Sequence, residues 1–242
     1  MKKIALVTGG NSGIGYATAK LLKEKGYEVF ISGRDANRLQ QAADELGVNS
    51  VLADMSKPDD IKRLAATFLE SGLDVLINNA GIAKAVPISN IRWEDFSEIF
   101  STNVWGPILL ITELLPALEK HQGSISIVSS MIVARSMGTP TLCLYAATKG
   151  AVDAFTRNLV TELTTKKIRI NVVSPGPIDT PMFDKSGNNP EEIAEFKKAL
   201  ASQIPMQRLG TSEEVAQVII AQLEATYVTG AVWVVDGGVS VA

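Results

Sequence analysis

The 242-residue sequence has few of the residues that build disulfides and metal sites: one cysteine, Cys143, and one histidine, His121. A single cysteine excludes an internal disulfide and fits a reducing, cytoplasmic environment. Two such side chains are also too few for a structural zinc site, so we expect no metal. We expect His121, in the helix-end segment LEKHQG, to be solvated, which argues against a Ser-His-Asp nucleophile.

An excess of basic residues is also missing. Lys and Arg number 23 against 26 Asp and Glu, a net charge of −3, with no long basic stretch. A duplex-binding surface would need a basic face, so we expect no nucleic acid partner. The apolar run Ile4–Val7 is too short for a signal peptide, and Val104–Leu118 is broken by prolines and too short to span a bilayer. We expect no membrane partner.

Short apolar runs alternate with segments of helical apolar spacing along the whole chain. Continuous apolar strands between helices are typical of a parallel sheet covered on both faces, so we predict one doubly wound α/β domain over 1–242. The predicted strands are Lys3–Thr8, Glu28–Ser32, Ser50–Leu52, Asp74–Asn78, Ser124–Val128, Arg169–Val173 and Val232–Val235. The predicted helices are Gly13–Lys25, Ala36–Leu46, Pro58 to about Glu70, Trp93–Phe100, about Asn103–Glu119, Tyr145–Thr165 and Ser212–Gln222.

One proline-containing segment breaks this alternation. Residues 181–210 follow the sixth strand, and a ligand crevice is expected at the carboxyl ends of the strands. We therefore predict a substrate lid at 181–210.

A glycine-rich turn joins the first strand to the first helix, with the sequence TGGNSGIG from Thr8 to Gly15. Glycines let the backbone approach a pyrophosphate closely, and the N-terminus of the following helix offers free N–H groups. The turn therefore predicts a dinucleotide site, the alternative being a tight turn without a ligand. It is not a Walker loop, because no Gly-Lys-Ser/Thr follows.

Tyr145 and Lys149 are four residues apart on a predicted helix and so share a face. A free phenol has a pKa near 10, too high for a base at neutral pH, and a nearby ammonium would lower that pKa. The pair predicts a proton-transfer site. The alternatives are a tyrosine packed on the crevice wall and a solvated lysine.

These motifs resemble those of the short-chain dehydrogenase/reductase family. TGGNSGIG matches its TGxxxGxG, Asn78-Asn79-Ala80-Gly81 its NNAG, and Tyr145 to Lys149 its YxxxK. Asn103, Ser129-Ser130, Ser174-Pro175-Gly176, Val228-Thr229-Gly230 and Val235-Asp236-Gly237-Gly238 follow the family's order as well. The resemblance implies a Rossmann-type fold with a mostly parallel seven-stranded sheet.

The resemblance also implies hydride transfer between a nicotinamide and a carbonyl or alcohol carbon. Tyr145 would exchange the proton with the substrate oxygen, Lys149 would bind the nicotinamide ribose, and Ser130 would orient the oxygen. Asn103 would support a water-linked proton path, its alternative being a helix N-cap. The loop between Ser130 and Tyr145 is longer than in most of the family, so Ser129 is a fallback for the serine role.

The implied cofactor site spans five motifs and includes Tyr145 and Lys149. Its other members are Gly9, Asn11, Ser12, Gly13, Ile14, Gly15, Arg34, Asp54, Met55, Asn79, Ala80, Gly81, Pro175, Gly176, Ile178 and Thr180. NAD-specific sites usually carry an acidic residue at the end of the second strand. Gly33 stands there and Arg34 follows, which suits a 2′-phosphate and predicts NADP(H) over NAD(H). A solvated Arg34 and use of NAD(H) are the alternatives.

The partners we expect are a small carbonyl or alcohol substrate and further copies of the chain. Long apolar helices at Asn103–Glu119 and Tyr145–Thr165 predict a homotetramer, or a dimer. Candidate pocket residues are apolar: Met131, Ile132, Val133, Met137, Leu142, Cys143, Leu144, Met182 and Phe183. Rival functions are an NAD(H)-dependent alcohol dehydrogenase, a non-catalytic dinucleotide-binding regulator, and an isomerase or epimerase.

Overall fold

Seven parallel strands form one sheet in the order β3-β2-β1-β4-β5-β6-β7 in the computed structural model, which describes residues 2–133, 140–181 and 189–242. The strands are β1 Ile4–Thr8, β2 Glu28–Gly33, β3 Asn49–Leu52, β4 Val75–Asn78, β5 Ser124–Val128, β6 Arg169–Pro175 and β7 Val232–Val235. The predicted doubly wound, Rossmann-type sheet is therefore confirmed.

Helices connect these strands. They are α1 Gly13–Glu24, α2 Ala36–Leu46, α3 Pro58–Ala66, α4 Trp93–Phe100, α5 Gly106–His121, α6 Cys143–Thr165, α7 Pro190–Ala201 and α8 Ser212–Glu224. Local signals explain their ends. Asp35 caps α2 by accepting a hydrogen bond from the Arg38 amide, and Gly47 ends α2 in the left-handed region at φ 63°.

Three elements differ from the predicted ones. α3 ends at Ala66 rather than near Glu70, because the amides of Thr67 and Phe68 bond three residues back and form turns. A π-helical turn over Ser101–Trp105 joins α4 to α5. α7 lies inside the segment predicted as a lid, where Asn189 and Glu192 form a capping box at its start. Residues 182–188 of that segment lie outside the described residues.

The core has two layers, one on each face of the sheet. Neighbouring strand residues point to opposite faces, so Leu6 packs with α3, α5 and α6, while Ala5 and Val7 pack with α1, α2 and α8. Each large apolar side chain buried in these layers contributes about 1.5–3 kcal/mol. The chain crosses from one face to the other between β1 and β4, so their carboxyl ends open a crevice at this switch point.

Two expectations about single segments are wrong. His121 is not solvated: its Nδ1 lies 3.1 Å from Asp74 Oδ2 and its side chain is 24% exposed. The stretch Trp93–His121 is long and apolar enough, by length and composition, to cross a membrane, contrary to the short span expected there. Buried residues of α5, including Leu110 and Leu114, belong to the core, and core helices of this kind pass the same test.

Candidate active site

The glycine loop owes its shape to close backbone contacts. Gly9 and Gly13 have left-handed φ angles of 64° and 54°, which side chains disfavour. A Cβ on Gly15 would lie 2.3 Å from the Gly9 carbonyl oxygen, so only glycine fits there. Ser12 occupies the N-cap of α1, but its side chain makes no capping hydrogen bond, and the first turn carries no acidic residue. The first N–H groups of α1 can therefore serve an anion.

A hydrogen-bond clamp fastens this loop to the end of β4. The Thr8 hydroxyl accepts from the amides of Asn79 and Ala80, both at 3.0 Å. Asn79 Nδ2 in turn donates to the carbonyl oxygens of Thr8 and Gly9 at 3.0 and 3.2 Å. The Asn79 amide thus shapes the glycine loop, a role that sequence reasoning missed. Its contact with the cofactor stays a prediction.

The end of β6 forms the opposite wall of the crevice. A Cβ on Gly176 would lie 2.6 Å from Asp236, which allows only glycine where β6 meets the turn after β7. Ile178 bridges to Gly210 beyond this turn. Thr180 then reaches the glycine loop, because a Cβ on Gly13 would lie 3.3 Å from Thr180 Cγ2. The turn after β6 therefore brings Thr180 up to the glycine loop.

Tyr145 and Lys149 lie together at the start of α6. Lys149 Nζ donates to the Val128 carbonyl oxygen at 2.7 Å and lies 5.7 Å from the centre of the Tyr145 ring. The Ser130 side chain lies close enough to the Tyr145 phenol to favour its ionised form, and Ser130 Oγ accepts from the Ile132 amide at 3.3 Å. Three of the four predicted catalytic side chains thus form one cluster.

Asn103, the fourth, holds the loop after β4. It lies in the π-helical turn, not at a helix N-cap, and is 2% exposed. Its Oδ1 accepts from the Ile82 amide at 2.9 Å, while its Nδ2 donates to the Ile82 carbonyl oxygen at 2.8 Å and to Thr148 Oγ1 at 3.2 Å. A Cβ on Gly81 would lie 3.3 Å from Asn103 Oδ1 and 3.7 Å from Lys149 Nζ, so Gly81 lets these two groups approach.

Burial controls the protonation of the catalytic pair. Desolvation raises the pKa of Tyr145, and the hydrogen bond with Ser130 opposes this rise. Desolvation also lowers the pKa of Lys149 to about 8, against the attraction of Asp153. The expectation that Lys149 lowers the phenol pKa is therefore wrong for the protein chain by itself, because loss of solvent around the phenolate dominates.

Ser129 and Ser130 have separate surroundings. Ser129 is 3% exposed, and its Oγ makes no hydrogen bond of good geometry, although it stabilises the carboxylate of Asp153. Ser130 is partly exposed and reaches Tyr145. The geometry thus favours Ser130 over its fallback as the serine beside the phenol.

The end of β2 carries an exposed arginine. A Cβ on Gly33 would lie 2.9 Å from Asn11 Oδ1, so a larger residue here would press on the glycine loop. Asp35 accepts from the Arg38 amide at 3.1 Å, and its Oδ2 lies 3.8 Å from Arg38 Nε. Capping thus engages Asp35. Arg34 is exposed, and within the described ranges its side chain makes no hydrogen bond or ion pair.

The turn after β3 also lies at this edge. Asp54 Oδ1 accepts from the amide and the hydroxyl of Ser56, at 2.9 and 2.8 Å. Met55 is 5% exposed and belongs to the core under α5, so its side chain is a packing residue. Contact of both residues with the cofactor stays a prediction.

The predicted pocket residues differ in burial. Met131 packs against Ile204 and Val239 in a small separate core, whereas Val133 and Cys143 are exposed. Met137, Met182 and Phe183 lie outside the described residues. Over residues 2–133, 140–181 and 189–242, no three His, Cys, Asp or Glu side chains cluster as a metal site would need.

Comparison with known proteins gives this geometry a family. A family model described as enoyl-(acyl carrier protein) reductase matches residues 9–240. Glucose 1-dehydrogenase of Gluconobacter oxydans is 37% identical over 98% of this chain and 92% of its own length. Carbonyl reductase family member 4 of Xenopus laevis is 36% identical over 98% of each chain. The chain belongs to the short-chain dehydrogenase/reductase family.

Solved structures of this family share the fold. The Pseudomonas aeruginosa RhlG/NADP active-site complex matches with a TM-score of 0.91 and 31% identity, over 99% of this chain and 96% of that one. As a family member, the protein is an oxidoreductase that acts on carbonyl or alcohol groups with NAD(P). The uncapped start of α1 and the glycines of the loop before it, where a Cβ on Gly15 would collide with backbone, fit such a dinucleotide.

Proposed function

We propose that this short-chain dehydrogenase/reductase interconverts a carbonyl compound and a secondary alcohol with NADP(H), using Tyr145 as acid and base. The observation that carries the proposal is the cluster of Tyr145 with Ser130 and Lys149 at the mouth of the switch-point crevice. A bound nicotinamide would supply the hydride in reduction and accept it in oxidation.

The chain's own groups would divide the remaining work. Ser130 would hold the substrate oxygen next to the phenol, so that Tyr145 exchanges a proton with it. Because burial raises the pKa of Tyr145, the phenol carries its proton at neutral pH and can donate it when the substrate is reduced. The Lys149 ammonium would bind the nicotinamide ribose and stabilise the phenolate left after donation. Asn103 would keep the loop at Gly81 in place beside them.

Preference for NADP(H) is supported at the end of β2. Gly33 offers no side chain to accept from a ribose 2′-hydroxyl. Arg34 is exposed and free among the described residues to bind a 2′-phosphate with charge-assisted hydrogen bonds. Asp35 is engaged at the N-cap of α2, which limits its repulsion of a phosphate.

The coenzyme assignment is tested by kcat/KM with NADPH and NADH. Hydrogen bonds to charged groups contribute about 1.5–3 kcal/mol, so the wild type should prefer NADPH roughly 10- to 100-fold. Arg34→Ala should lose most of this preference and keep its activity with NADH. Arg63→Ala, a change of an exposed arginine on α3, is the matched control. Equal use of NADH by the wild type, or equal losses with both coenzymes in Arg34→Ala, would refute the assignment.

A turnover screen decides between catalysis and binding alone. The two relatives of nearly equal identity are named for a sugar and for carbonyl compounds, so the panel should hold sugars, ketones and aldehydes. A non-catalytic regulator would bind NADPH and turn over none of them. Turnover of at least one carbonyl, lost in Tyr145→Phe, is the result that we expect.

A homotetramer, with a dimer as the alternative, is the proposed assembly. Trp93, at the start of α4, and Trp105, at the end of the π-helical turn before α5, are 71% and 51% exposed. Val234 is 43% exposed on β7, an edge strand of the sheet. Exposed apolar surface and an open strand edge usually mark interfaces. Light scattering at micromolar concentration should give four times the chain mass, and a stable monomer would refute the proposal. A cytoplasmic location also stays a proposal.

A further inference from the structure

A buried carboxylate lies one helical turn beyond the catalytic lysine. Asp153 follows Lys149 by four residues on α6, one turn nearer the C-terminus of the helix, and is 3% exposed. Its Oδ1 makes no hydrogen bond of good geometry within residues 2–133, 140–181 and 189–242. A buried charge without such bonds is costly, so this position needs a physical reason.

Asp95 shows how a buried carboxylate is normally satisfied. It is also 3% exposed, but it pairs with Lys84 Nζ at 2.7 Å and accepts from the Arg92 amide at 3.0 Å. Asp95 therefore has a direct structural role at the start of α4. Among the described residues, Asp153 has no comparable pair and interacts with its charged neighbours through space.

The groups around Asp153 belong to the catalytic cluster. Among the described residues, the charged ones that act on it are Arg157 and Lys149 on α6, and the Ser129 hydroxyl faces it from the end of β5. Lys149 Nζ bonds to the carbonyl oxygen of Val128, the residue before Ser129. The consecutive residues Val128 and Ser129 at the end of β5 thus face Lys149 and Asp153 on α6.

Opposing effects act on the Lys149 ammonium. Burial lowers its pKa to about 8, and Asp153 is the one charged group that raises it. Without the carboxylate, burial would be unopposed and the ammonium would lose its proton at lower pH.

We propose that Asp153 is a positioning residue for the reaction, whose buried carboxylate keeps the Lys149 ammonium charged beside Tyr145. This inference rests on the proposed function, in which Lys149 acts as a cation towards the ribose and the phenolate. Asp153 touches neither substrate nor coenzyme in this role and acts through Lys149 alone.

The direct test measures the lysine without any substrate or coenzyme. Protein labelled with ¹³Cε-lysine is titrated by NMR, and the Lys149 signal is assigned by its absence in Lys149→Arg. An opposite charge nearby shifts a pKa by about one unit or more, so Asp153→Asn should lower the midpoint for Lys149 by about one unit. Asp153→Ser is a second charge-free variant should the first fold poorly, and Asp153→Glu should restore a midpoint close to that of the wild type.

The pH profile of turnover is the second readout. With the midpoint lowered from about 8 to about 7, the charged fraction of Lys149 falls roughly threefold at pH 7.5 and hardly changes near pH 6. The alkaline limb of kcat/KM should therefore move to lower pH in Asp153→Asn, while activity near pH 6 is kept. Glu162→Gln, which removes an exposed carboxylate from the same helix, should leave the limb in place.

The two measurements separate the possible failures. An unchanged Lys149 midpoint in both charge-free variants would overturn the inference, as would a loss of activity that is uniform across pH. If no substrate is turned over at any pH but the midpoint still moves in Asp153→Asn, the proposed function fails and the coupling of Asp153 to Lys149 stands.

Discussion

The two halves of the sheet contribute different kinds of groups to the site: mainly backbone in one half and buried side chains in the other. The half around β1, β2 and β3 relies on backbone, since its loop is rich in glycines that pack closely against neighbouring atoms, and its one candidate recognition charge, Arg34, lies in solvent. The half around β4, β5 and β6 uses buried side chains, since Lys149, Asp153 and Asn103 are each at most 6% exposed.

The two halves should therefore respond differently to substitution. A backbone-built site has no side chain to adjust, so changes there act by collision and affect binding as a whole. A site of buried polar groups responds to each charge, because burial shifts the pKa of Lys149 to about 8 and that of Tyr145 upwards. Substitutions in the half around β4, β5 and β6 should therefore change the catalytic rate, and those in the half around β1, β2 and β3 should change coenzyme binding.

Tyr145→Phe should have the largest effect, because it removes the phenol hydroxyl that would exchange the proton and keeps the aromatic ring. We expect kcat to fall about 10²- to 10⁴-fold, the usual worth of a positioned acid or base, with the dissociation constant for NADPH largely unchanged. Tyr16→Phe, which removes the hydroxyl that bonds to Glu45 on the surface, is the control. A kcat above a tenth of the wild-type value would show that Tyr145 does not transfer the proton.

Gly15→Ala should act on binding in the backbone-built half. Its Cβ would lie 2.3 Å from the Gly9 carbonyl oxygen and 2.5 Å from Asn79 Nδ2, so the loop must move. Because about 1.4 kcal/mol is tenfold and such overpacking costs about 1–3 kcal/mol, we expect the NADPH dissociation constant to rise roughly 5- to 140-fold. Fluorescence titration of the coenzyme measures it.

The matched control is Gly150→Ala on α6, where a Cβ would meet nothing within 4 Å. Alanine is a better helix former than glycine by about 0.5–1 kcal/mol, so this variant should bind NADPH normally and unfold at equal or higher urea. Similar losses in both glycine variants would break the contrast between the two halves.

Arg169→Met extends the contrast to stability. The Arg169 guanidinium donates to four carbonyl oxygens at or beyond the end of α8, those of Gln222, Leu223, Ala225 and Val228. Losing these partly buried, charge-assisted bonds should lower the free energy of unfolding by about 1.5–3 kcal/mol. Urea unfolding at fixed protein concentration measures it. A cost no larger than that of Arg63→Met, an exposed arginine paired with Asp60, would contradict the role of burial.

The sequence was sufficient for the sheet, because its strands are continuous apolar runs and its motifs lie at their ends. All seven strands were predicted within one or two residues of their observed ends. The pairing of Tyr145 with Lys149 also followed from a spacing of four on one helix. α7 was missed although Asn189 and Glu192 carry a capping-box signal, because the prolines of that segment drew the interpretation towards a lid.

Tertiary contacts explain what the sequence could not predict. The use of Asn103 to hold Ile82 depends on a π-helical turn that brings distant segments together. The raised pKa of Tyr145 depends on burial, which spacing does not report, so the attraction of Lys149 was overrated. Asp153 could have been found from its spacing of four to Lys149, but only its burial shows that the charge matters.

Glu214→Gln should have the smallest effect, because it removes a charge at the exposed end of α8. Glu214 pairs with both terminal nitrogens of Arg208 at 2.6 and 2.9 Å, and its Oε2 accepts from the Thr211 amide. These contacts lower its pKa from 4.5 to about 2. A carboxyl whose pKa is lowered on folding stabilises the protein above the unfolded value, and this stability is lost as pH falls from about 4.5 towards 2.

The side chain of Glu214 is 39% exposed, so solvent screens the pair and we expect only about 0.5–1 kcal/mol at pH 7. Urea unfolding of wild type and Glu214→Gln at pH 7 and pH 3.5 should show a difference that shrinks at the lower pH, and also in 1 M salt, where exposed charges are screened. Arg169→Met should keep its larger cost in the same salt, since its bonds are partly buried. The prediction fails if Glu214→Gln lowers the free energy of unfolding as much as Arg169→Met does, at both pH values and in 1 M salt. Burial would then not decide how much a charged side chain stabilises this fold.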